Sequence, residues 1–395
     1  MTKSQRELEQ IQGNLEYSNK ELKVFIADLL PYGEITEEEI KDKITETENL
    51  VNTFGGIVIL KHIQKKSMPD YETFIGEGRL DEIVEEMKEA GANILIIGSA
   101  LKTAQIYNIN ERLRSIGAKC WDRIDLILKI FEKHAGSAEA KLQIELASIK
   151  HMGPRIFGMG MELSKQGGGI GTRGKGETNT EIMKRHLAKK EIAIKKELDK
   201  FKKVRAEHRK SRKRKGLHTI GIVGYTNAGK SSLLNALTTK GVLAEDKLFA
   251  TLGTSVSKMW IEASYDEENN FEYKPGIEIL LNDTIGFIRD LPPNLIQAFS
   301  STLEDSIESE LLFHVIDASD KKLNDKIEVV NKILKEIGAN QKKIYIFNKI
   351  DLLNNMELDN LKKQFEKTDS LYVSSNKKLG FDKLKKYITK FFLKL

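Results

Sequence analysis

Eight consecutive residues, from Gly224 to Ser231, have the types and spacing that cradle a nucleoside triphosphate. They match G-x-x-x-x-G-K-[S/T], follow the apolar run 219–223 and open the helical run 232–237. Glycines let backbone N–H groups face the phosphates, and the helix N-terminus adds a favourable dipole. We expect Lys230 to bridge the β- and γ-phosphates. The predicted nucleotide contacts here are Gly224, Tyr225, Thr226, Asn227, Ala228, Gly229, Lys230, Ser231 and Ser232.

The metal ligands of such a site come from three segments. The Ser231 hydroxyl is the first predicted Mg²⁺ ligand, and Asp283, in the D-x-x-G motif that ends at Gly286, is the second, through water. D-x-x-G alone is weak evidence, but it follows the strand after the phosphate-loop helix, where such a motif belongs. A threonine between the two motifs should close over the metal. Thr251, close to the predicted contact Phe249, is favoured over Thr254, and either could be an ordinary loop threonine.

A third motif selects the base. The sequence Asn348-Lys349-Ile350-Asp351 ends an apolar strand, and Asp351 can accept both N1–H and N2–H₂ of guanine. Adenine offers neither donor, and an unpaired buried carboxylate is costly, so the motif favours GTP over ATP. Ser374, Ser375 and Asn376 fit the last base-contacting loop by position, although they depart from its usual Ser-Ala-Lys form.

The residue after Gly286 affects the expected chemistry. It is Phe287, where many related proteins have the glutamine that orients the attacking water, so no catalytic residue is assigned. We hypothesise that intrinsic hydrolysis is slow and is accelerated by a partner or by a monovalent cation. Asn227 lies where some GTPases coordinate K⁺, with a purely structural role in the loop as the alternative.

Length, composition and charge limit the remaining possibilities. The 395 residues suit two or three domains, and 40% are hydrophobic, as in proteins with substantial cores. The single cysteine, Cys120, cannot form an internal disulfide, which favours a reducing, cytoplasmic setting. No apolar segment follows the polar N-terminus, and no apolar run approaches the roughly 20 residues of a membrane helix, so we expect no integral membrane contact.

The charge is concentrated in one segment. Residues 184–215 contain 16 Lys/Arg against 4 Asp/Glu, an excess of +12, so the remainder of a chain of net charge +6 carries −6. Such a segment indicates a polyanionic partner, unless it is only a solvated helix face. The predicted RNA-binding residues are Arg155, Lys165, Arg173, Lys175, Arg205, Arg209, Lys210, Arg212, Lys213, Arg214 and Lys215.

Alternating strand and helix patterns predict an α/β fold. Residues 1–136 are predicted to be a small α/β domain with a mainly parallel sheet, and residues 216–395 a doubly wound P-loop G domain. Between them, 137–215 read as a helical hairpin and basic linker. Nine glycines in residues 153–176 predict a long mobile loop between its helices. The glycines at 76–78 are read as a tight turn in preference to a second nucleotide site.

Several motifs resemble those of the HflX family of ribosome-associated GTPases. The similarity covers roughly residues 55–390 in family order, and its motifs lie at 74–80, 122–131, 141–147, 168–177, 223–231, 283–292 and 298–304. The chain departs from the family pattern at Ile124, where threonine is usual, and in the switch segment 250–255, which reads A-T-L-G-T-S instead of A-T-L-D-P-T.

The resemblance implies an N-terminal domain with a helical hairpin, followed by a G domain. It also implies binding of GTP and GDP, attachment to the large ribosomal subunit through rRNA, and a part in splitting, rescuing or recycling ribosomes. We expect a monomer. Two other classes remain open, a GTP-dependent RNA remodelling factor and a GTPase switch whose basic hairpin binds an acidic protein or a membrane surface.

Exchange of one carboxylate tests the base assignment. Asp351→Asn should shift the preference from GTP toward xanthosine nucleotides, because the new amide can donate to the carbonyl that replaces the guanine amino group. Competition between GTP and XTP for a fluorescent GDP analogue measures the shift. An unchanged ratio in the variant would remove Asp351 from base recognition.

Overall fold

The computed structural model describes residues 21–30, 36–166, 173–238, 255–262, 264–266, 272–274, 276–283, 286–289, 295 and 308–393. The chain divides into two compact units, residues 1–126 and 127–395. The predicted domain limits at 136 and 215 remain predictions. Among the described residues, none of the helices is long and apolar enough to cross a membrane.

The first unit contains a parallel sheet with the order β2-β1-β3-β4. Its strand and helix positions confirm the predicted α/β alternation. In chain order the elements are β1 (Lys23–Leu30), α1 (Glu37–Phe54), β2 (Ile57–Lys65), α2 (Glu77–Ala90), β3 (Ile94–Ile97), α3 (Thr103–Leu113), a 3₁₀ turn (Arg114–Ile116), β4 (Lys119–Asp122) and α4 (Arg123–His134), which extends past the limit of the unit.

Local sequence signals set the ends of helix α1. The Thr36 side chain accepts the Glu39 backbone N–H while the Glu39 side chain accepts the Thr36 N–H, a capping box. At the other end, Gly55 takes φ 98°, the left-handed conformation that stops a helix. Both ends therefore follow from the types of one or two residues.

A helical pair follows in the second unit. Helix α5 spans Ala138–Gln166 and helix α6 spans Arg173–Arg214. They pack antiparallel, with Lys190 Nζ 2.6 Å from Glu145 Oε1 and Arg205 paired with Glu139. Ile194, near the middle of α6, is 4% exposed. The predicted hairpin is thus present.

The prediction of a loop over residues 153–176 was wrong for most of its length. Helix α5 continues to Gln166 and α6 begins at Arg173, while residues 167–172 lie outside the described part of the chain. Only three of the nine glycines fall in 153–166, and each costs about 1 kcal/mol in a helix. A helix that already has a packing partner can extend through a few widely spaced glycines, because helix propagation adds a hydrogen bond for each further residue.

The G-domain part contains a six-stranded sheet with the order β12-β11-β10-β5-β9-β6, parallel except for the antiparallel strand β6. This confirms the doubly wound prediction, and a hairpin pairs β7 with β8. The elements are β5 (His218–Gly224), α7 (Lys230–Leu237), β6 (Ser255–Ile261), β7 (Ser264–Asp266), β8 (Glu272–Lys274), β9 (Ile277–Asp283), β10 (Leu311–Asp317), α8 (Leu323–Glu336), β11 (Lys342–Asn348), a 3₁₀ turn (Ile350–Leu352), α9 (Asn355–Gln364), β12 (Ser370–Tyr372) and α10 (Phe381–Leu393).

The core of the G domain lies where helices cover the central strands. Strands β5, β9 and β10 are buried along nearly their whole length, as expected for parallel strands with both faces covered. Phe313 and Ile346 on the strands and Leu233 and Leu384 on the helices are each at most 1% exposed. This core makes the carboxyl ends of the strands a rigid platform.

Removal of the α1 cap should be measurable in the first unit. Thr36→Ala is expected to lower the free energy of unfolding by about 1 kcal/mol, because one helix-end N–H loses its acceptor. Urea unfolding followed by Trp121 fluorescence, in a Trp260→Phe background, reports this unit. Thr45→Ala removes the same hydroxyl from a solvent-exposed position in the middle of α1, and should change the free energy of unfolding by less than about 0.5 kcal/mol. Equal losses in the two variants would contradict the capping role.

Candidate nucleotide-binding site

Four neighbouring strands end at one edge of the G-domain sheet. Gly224, Asp283, Asp317 and Asn348 are the last residues of β5, β9, β10 and β11. The register pairs Ile222 with Asp283, Val315 with Gly224, and Asp317 with Asn348. In doubly wound sheets, ligands bind beyond the carboxyl ends of the strands. Asp283 and Asn348, which the sequence predicts for the site, are therefore brought to the same edge as the phosphate loop.

The phosphate loop lies very close to its neighbours. A Cβ at Gly224 would overlap the Val315 carbonyl oxygen, and one at Gly229 would overlap the side-chain amide of Asn348. Gly229 also has φ 87°. Both positions require glycine, because any side chain would displace either β10 or the Asn348 loop.

Lys230, the first residue of α7, is buried. It is 7% exposed, and its ammonium donates to the Tyr225 carbonyl oxygen at 2.8 Å. Burial lowers the pKa of Lys230 to about 8, nearby Asp283 acts to raise it, and Lys349 lowers it further. The lysine therefore already faces the interior of the loop, as a cation that lacks most of its hydration.

Two of the three predicted magnesium ligands, Ser231 and Asp283, lie side by side. Ser231 Oγ donates to Asp283 Oδ2 at 3.3 Å, and Asp283 is fully buried. A hydroxyl and a carboxylate oxygen are hard ligands of the kind that Mg²⁺ takes together with water and phosphate oxygens. The donor set fits a magnesium ion beside the phosphates.

The D-x-x-G segment continues the β5–β9 ladder along the phosphate loop. Thr226 N–H donates to Phe287 O at 2.7 Å, and Phe287 N–H donates to Gly224 O at 3.0 Å. The Tyr225 hydroxyl accepts the Arg289 N–H at 2.9 Å. Phe287 is only 3% exposed, so its ring packs inside and presents no polar group to a water molecule.

The base-recognition loop is fastened to the phosphate loop. Asn348 Nδ2 donates to Ala228 O at 3.2 Å, and Asn348 Oδ1 accepts the Ser375 N–H at 3.0 Å. Ser374 Oγ donates to Asp351 at 2.6 Å, which orients the carboxylate. Four of the residues predicted to read the base thus lie together, while Asn376 is exposed.

Lys349 makes a contact that the motifs do not include. Its ammonium donates to Asn227 O at 2.9 Å and to Asp317 Oδ2 at 2.7 Å. Sequence reasoning missed Asp317. The signal that could have found it is its place at the end of β10, beside the strand ends at Asp283 and Asn348.

Burial keeps a neighbouring histidine neutral. His314 on β10 is 1% exposed, and its ring meets that of Tyr345 edge-on at 5.2 Å. Desolvation, helped by Lys343 and Lys230, lowers the pKa of His314 to about 3. This histidine therefore carries no charge at physiological pH, and it adds no cation beside the phosphates.

The predicted switch residues Phe249, Thr251 and Thr254 lie outside the described residues. The choice between the two threonines as magnesium ligand therefore remains a prediction.

The predicted RNA-binding residues separate into two groups. Arg155 is 5% exposed, Arg205 pairs with Glu139, and Arg209 pairs with Glu308. Lys210, Arg214 and Lys215 are exposed near the C-terminal end of α6, and Arg212 is half-buried. The side chains of Lys165, Arg173, Lys175 and Lys213 lie outside the described part of the structure. Of the predicted residues whose side chains the structure describes, three arginines are turned inward, and Lys210, Arg214 and Lys215 form an exposed basic patch.

A doubly wound sheet with a phosphate loop after its strand β5, a D-x-x-G segment and an Asn-Lys-x-Asp loop at one edge defines a P-loop GTPase. The family descriptions that match are "GTP-binding GTPase N-terminal" over residues 41–132, "GTP-binding GTPase Middle Region" over 134–212 and "50S ribosome-binding GTPase" over 219–349. The chain belongs to the HflX family of GTPases.

Relatives from distant organisms support this membership. GTPase HflX of Caldanaerobacter subterraneus is 40% identical over 89% of this chain and 77% of its own length. That of Escherichia coli is 36% identical over 90% and 80%. That of Methanocaldococcus jannaschii is 33% identical over 89% and 81%. A crystal structure of SsGBP in complex with GDP matches with a TM-score of 0.52 and 28% identity, over 94% of this chain and 99% of that one.

The lowered pKa of Lys230 predicts proton uptake on nucleotide binding. Phosphate oxygens favour the ammonium, so its pKa is higher in the complex, and GTP affinity is full below pH 8 and falls as pH rises through 8. Calorimetry in buffers of different ionisation enthalpy should show uptake of about half a proton at pH 8 and close to none at pH 6.5. Uptake that is equal at both pH values would contradict the assignment.

Proposed function

We propose that this chain is a Mg²⁺-dependent GTPase that binds the large ribosomal subunit and hydrolyses GTP there, in the splitting, rescue or recycling of ribosomes. The observation that carries the proposal is the exposed basic patch near the end of helix α6, three residues before the strand that leads into the phosphate loop. The matching description "50S ribosome-binding GTPase" supports the same partner. A ribosomal partner places the chain in the cytoplasm, and we propose that it acts as a monomer.

The site residues take complementary roles in this proposal. Lys230 holds the β- and γ-phosphates, Asp351 selects guanine, and Ser231 with Asp283 holds Mg²⁺. The metal, when bound, supplies positive charge against the phosphate oxygens as charge develops on them. The neighbouring loop at Ser374 keeps the Asp351 carboxylate aimed at the base.

The group that orients the attacking water comes from outside the D-x-x-G segment in this proposal. The position of the usual glutamine is taken by Phe287, which is buried and has no polar group to orient water. We propose that the ribosomal subunit completes the site for hydrolysis. A K⁺ ion held with the help of Asn227 is a second source of positive charge for the same step.

The basic patch supplies the contact with RNA. Lys210, Arg214 and Lys215 can neutralise rRNA phosphates and release counterions, a sequence-independent source of affinity. The same chemistry would suit a factor that remodels structured RNA outside the ribosome, and this is the second candidate function. A ribosome-dependent GTPase should be accelerated by the subunit but not by free RNA, whereas an RNA remodelling factor should be accelerated by both.

The first experiment measures GTP turnover alone, with purified large subunits, and with an equal mass of protein-free rRNA. Stimulation by subunits alone supports the proposal, and equal stimulation by rRNA supports RNA remodelling. Each arm is run in KCl and in NaCl, so that a cation effect through Asn227 is seen separately. No stimulation in any arm, with normal GTP binding, would remove both candidates.

A matched pair of charge variants tests the basic patch. Replacing Lys210, Arg214 and Lys215 by Gln should weaken binding to subunits and reduce the slope of log K against log [salt] by about 1 for each phosphate that is no longer neutralised. The control replaces three exposed lysines of helix α10, at 383, 385 and 386, by Gln and removes the same charge. Equal effects in the two variants would show a general charge effect and no local contact.

A further inference from the structure

We propose that Asp317 is a positioning residue for nucleotide binding. Its carboxylate holds the Lys349 ammonium against the Asn227 carbonyl and so joins the base-recognition loop to the phosphate loop. The inference rests on the proposed roles of these two loops. It goes beyond them because Asp317 lies in none of the nucleotide-binding motifs.

Lys349 is the centre of the connection. Its Nζ is 2.7 Å from Asp317 Oδ2 and 2.9 Å from Asn227 O. The Lys349 and Asp317 side chains are 27% and 21% exposed, so the ion pair is partly removed from water. Charges in such a position are screened less by salt than a surface pair, and the contact is correspondingly stronger.

Asp317 is itself held in place from two sides. Its second oxygen, Oδ1, accepts the Ser319 N–H at 3.0 Å and the Ser319 hydroxyl at 2.6 Å. The backbone of Asp317 lies opposite Asn348 in the sheet, and Ala318 N–H donates to Asn348 O at 2.9 Å. The carboxylate therefore has a fixed position relative to the strand that carries the base-recognition loop.

The connection joins two residues with unfavourable backbone conformations. Asn227 has φ 63° and Lys349 has φ 64°, in the left-handed region that non-glycine residues rarely adopt. Such conformations persist only where surrounding contacts hold them. A lysine side chain is flexible, so without a fixed acceptor its ammonium would not stay on the Asn227 carbonyl.

This arrangement predicts an effect on binding and not on the chemical step. Asp317 and Ser319 lie outside the phosphate loop and the D-x-x-G segment, so their contacts do not depend on the γ-phosphate. GTP and GDP should lose affinity alike, and KM should rise while kcat changes little, which is the signature of lost uniform binding.

The experiment compares Asp317→Asn with the control Asp369→Asn. Asp369 also pairs with a lysine of the G-domain sheet, with its Oδ2 2.9 Å from Lys342 Nζ, but Lys342 begins strand β11, at the end opposite to the nucleotide site. We expect Asp317→Asn to weaken GDP and GTP about tenfold, with faster release of a fluorescent GDP analogue, and Asp369→Asn to leave both affinities near wild type. The melting temperature of the nucleotide-free Asp317→Asn protein should stay within about 2 °C of wild type, since removal of a partly exposed ion pair costs little stability.

A double-mutant cycle shows whether Asp317 acts through Lys349. In a Lys349→Met background, Asp317→Asn should cause no further loss of GDP affinity, whereas independent effects would multiply. Wild-type affinity in Asp317→Asn, or multiplied losses in the cycle, would overturn the inference. If Asp317→Asn fails to fold, Ser319→Ala, which removes the hydroxyl donor to Asp317 Oδ1 and leaves the backbone N–H, is expected to show a smaller loss of the same kind. Wild-type GTP affinity in Lys349→Met would also overturn the inference, whereas wild-type GTP affinity in Lys230→Met would overturn the proposed nucleotide site itself.

Discussion

Burial of the Lys230 ammonium is the constraint on which the rest of the site depends. A cation taken out of water is unfavourable, and here the Tyr225 carbonyl and the nearby Asp283 only partly replace the missing hydration, so the pKa falls to about 8. The Gly224 backbone lies so close to the Val315 carbonyl oxygen that no side chain fits between them, which keeps the loop packed against β10. The fold therefore maintains an under-solvated positive charge that a triphosphate can satisfy.

The cost of removing charged groups from water also explains why the polar groups of the site lie at strand ends. A central strand buried on both faces cannot carry charged side chains along its length, but its last residue emerges at the sheet edge. Asp283, Asp317 and Asn348 all occupy such positions. The parallel order of β9, β5, β10 and β11 is therefore enough to bring these residues together, whatever the conformation of the loops that follow.

Local signals were enough to predict much of the fold. The four apolar residues 94–97 form β3, and the Thr36–Glu39 capping box starts α1, and both signals depend on neighbouring residues alone. The glycine-rich segment was misjudged because its composition was averaged over 24 residues, whereas the helices end where the glycines are densest.

The motifs also predict which residues form the candidate site, since phosphate and guanine contacts require particular residue types at fixed spacing. Contacts between residues distant in sequence could not be predicted in this way. Arg205 pairs with Glu139 and Arg209 with Glu308, which are 66 and 99 residues away in the chain. Counting charges in the sequence treats every arginine as solvated, so it does not reveal such pairs. The Asp317–Lys349 contact was missed for the same reason, because neither residue's type alone indicates the other.

The length of helix α6 has a mechanical consequence. Its 42 residues span about 63 Å, and only Lys215, Gly216 and Leu217 separate it from strand β5. Its base is pinned by the Arg209–Glu308 ion pair and by the Leu217 N–H, which donates to Arg212 O. In so long a rod, a tilt of about 5° at the base moves the far end by about 5 Å. Changes too small to rearrange the nucleotide site could thus become displacements the size of a nucleotide base at the tip.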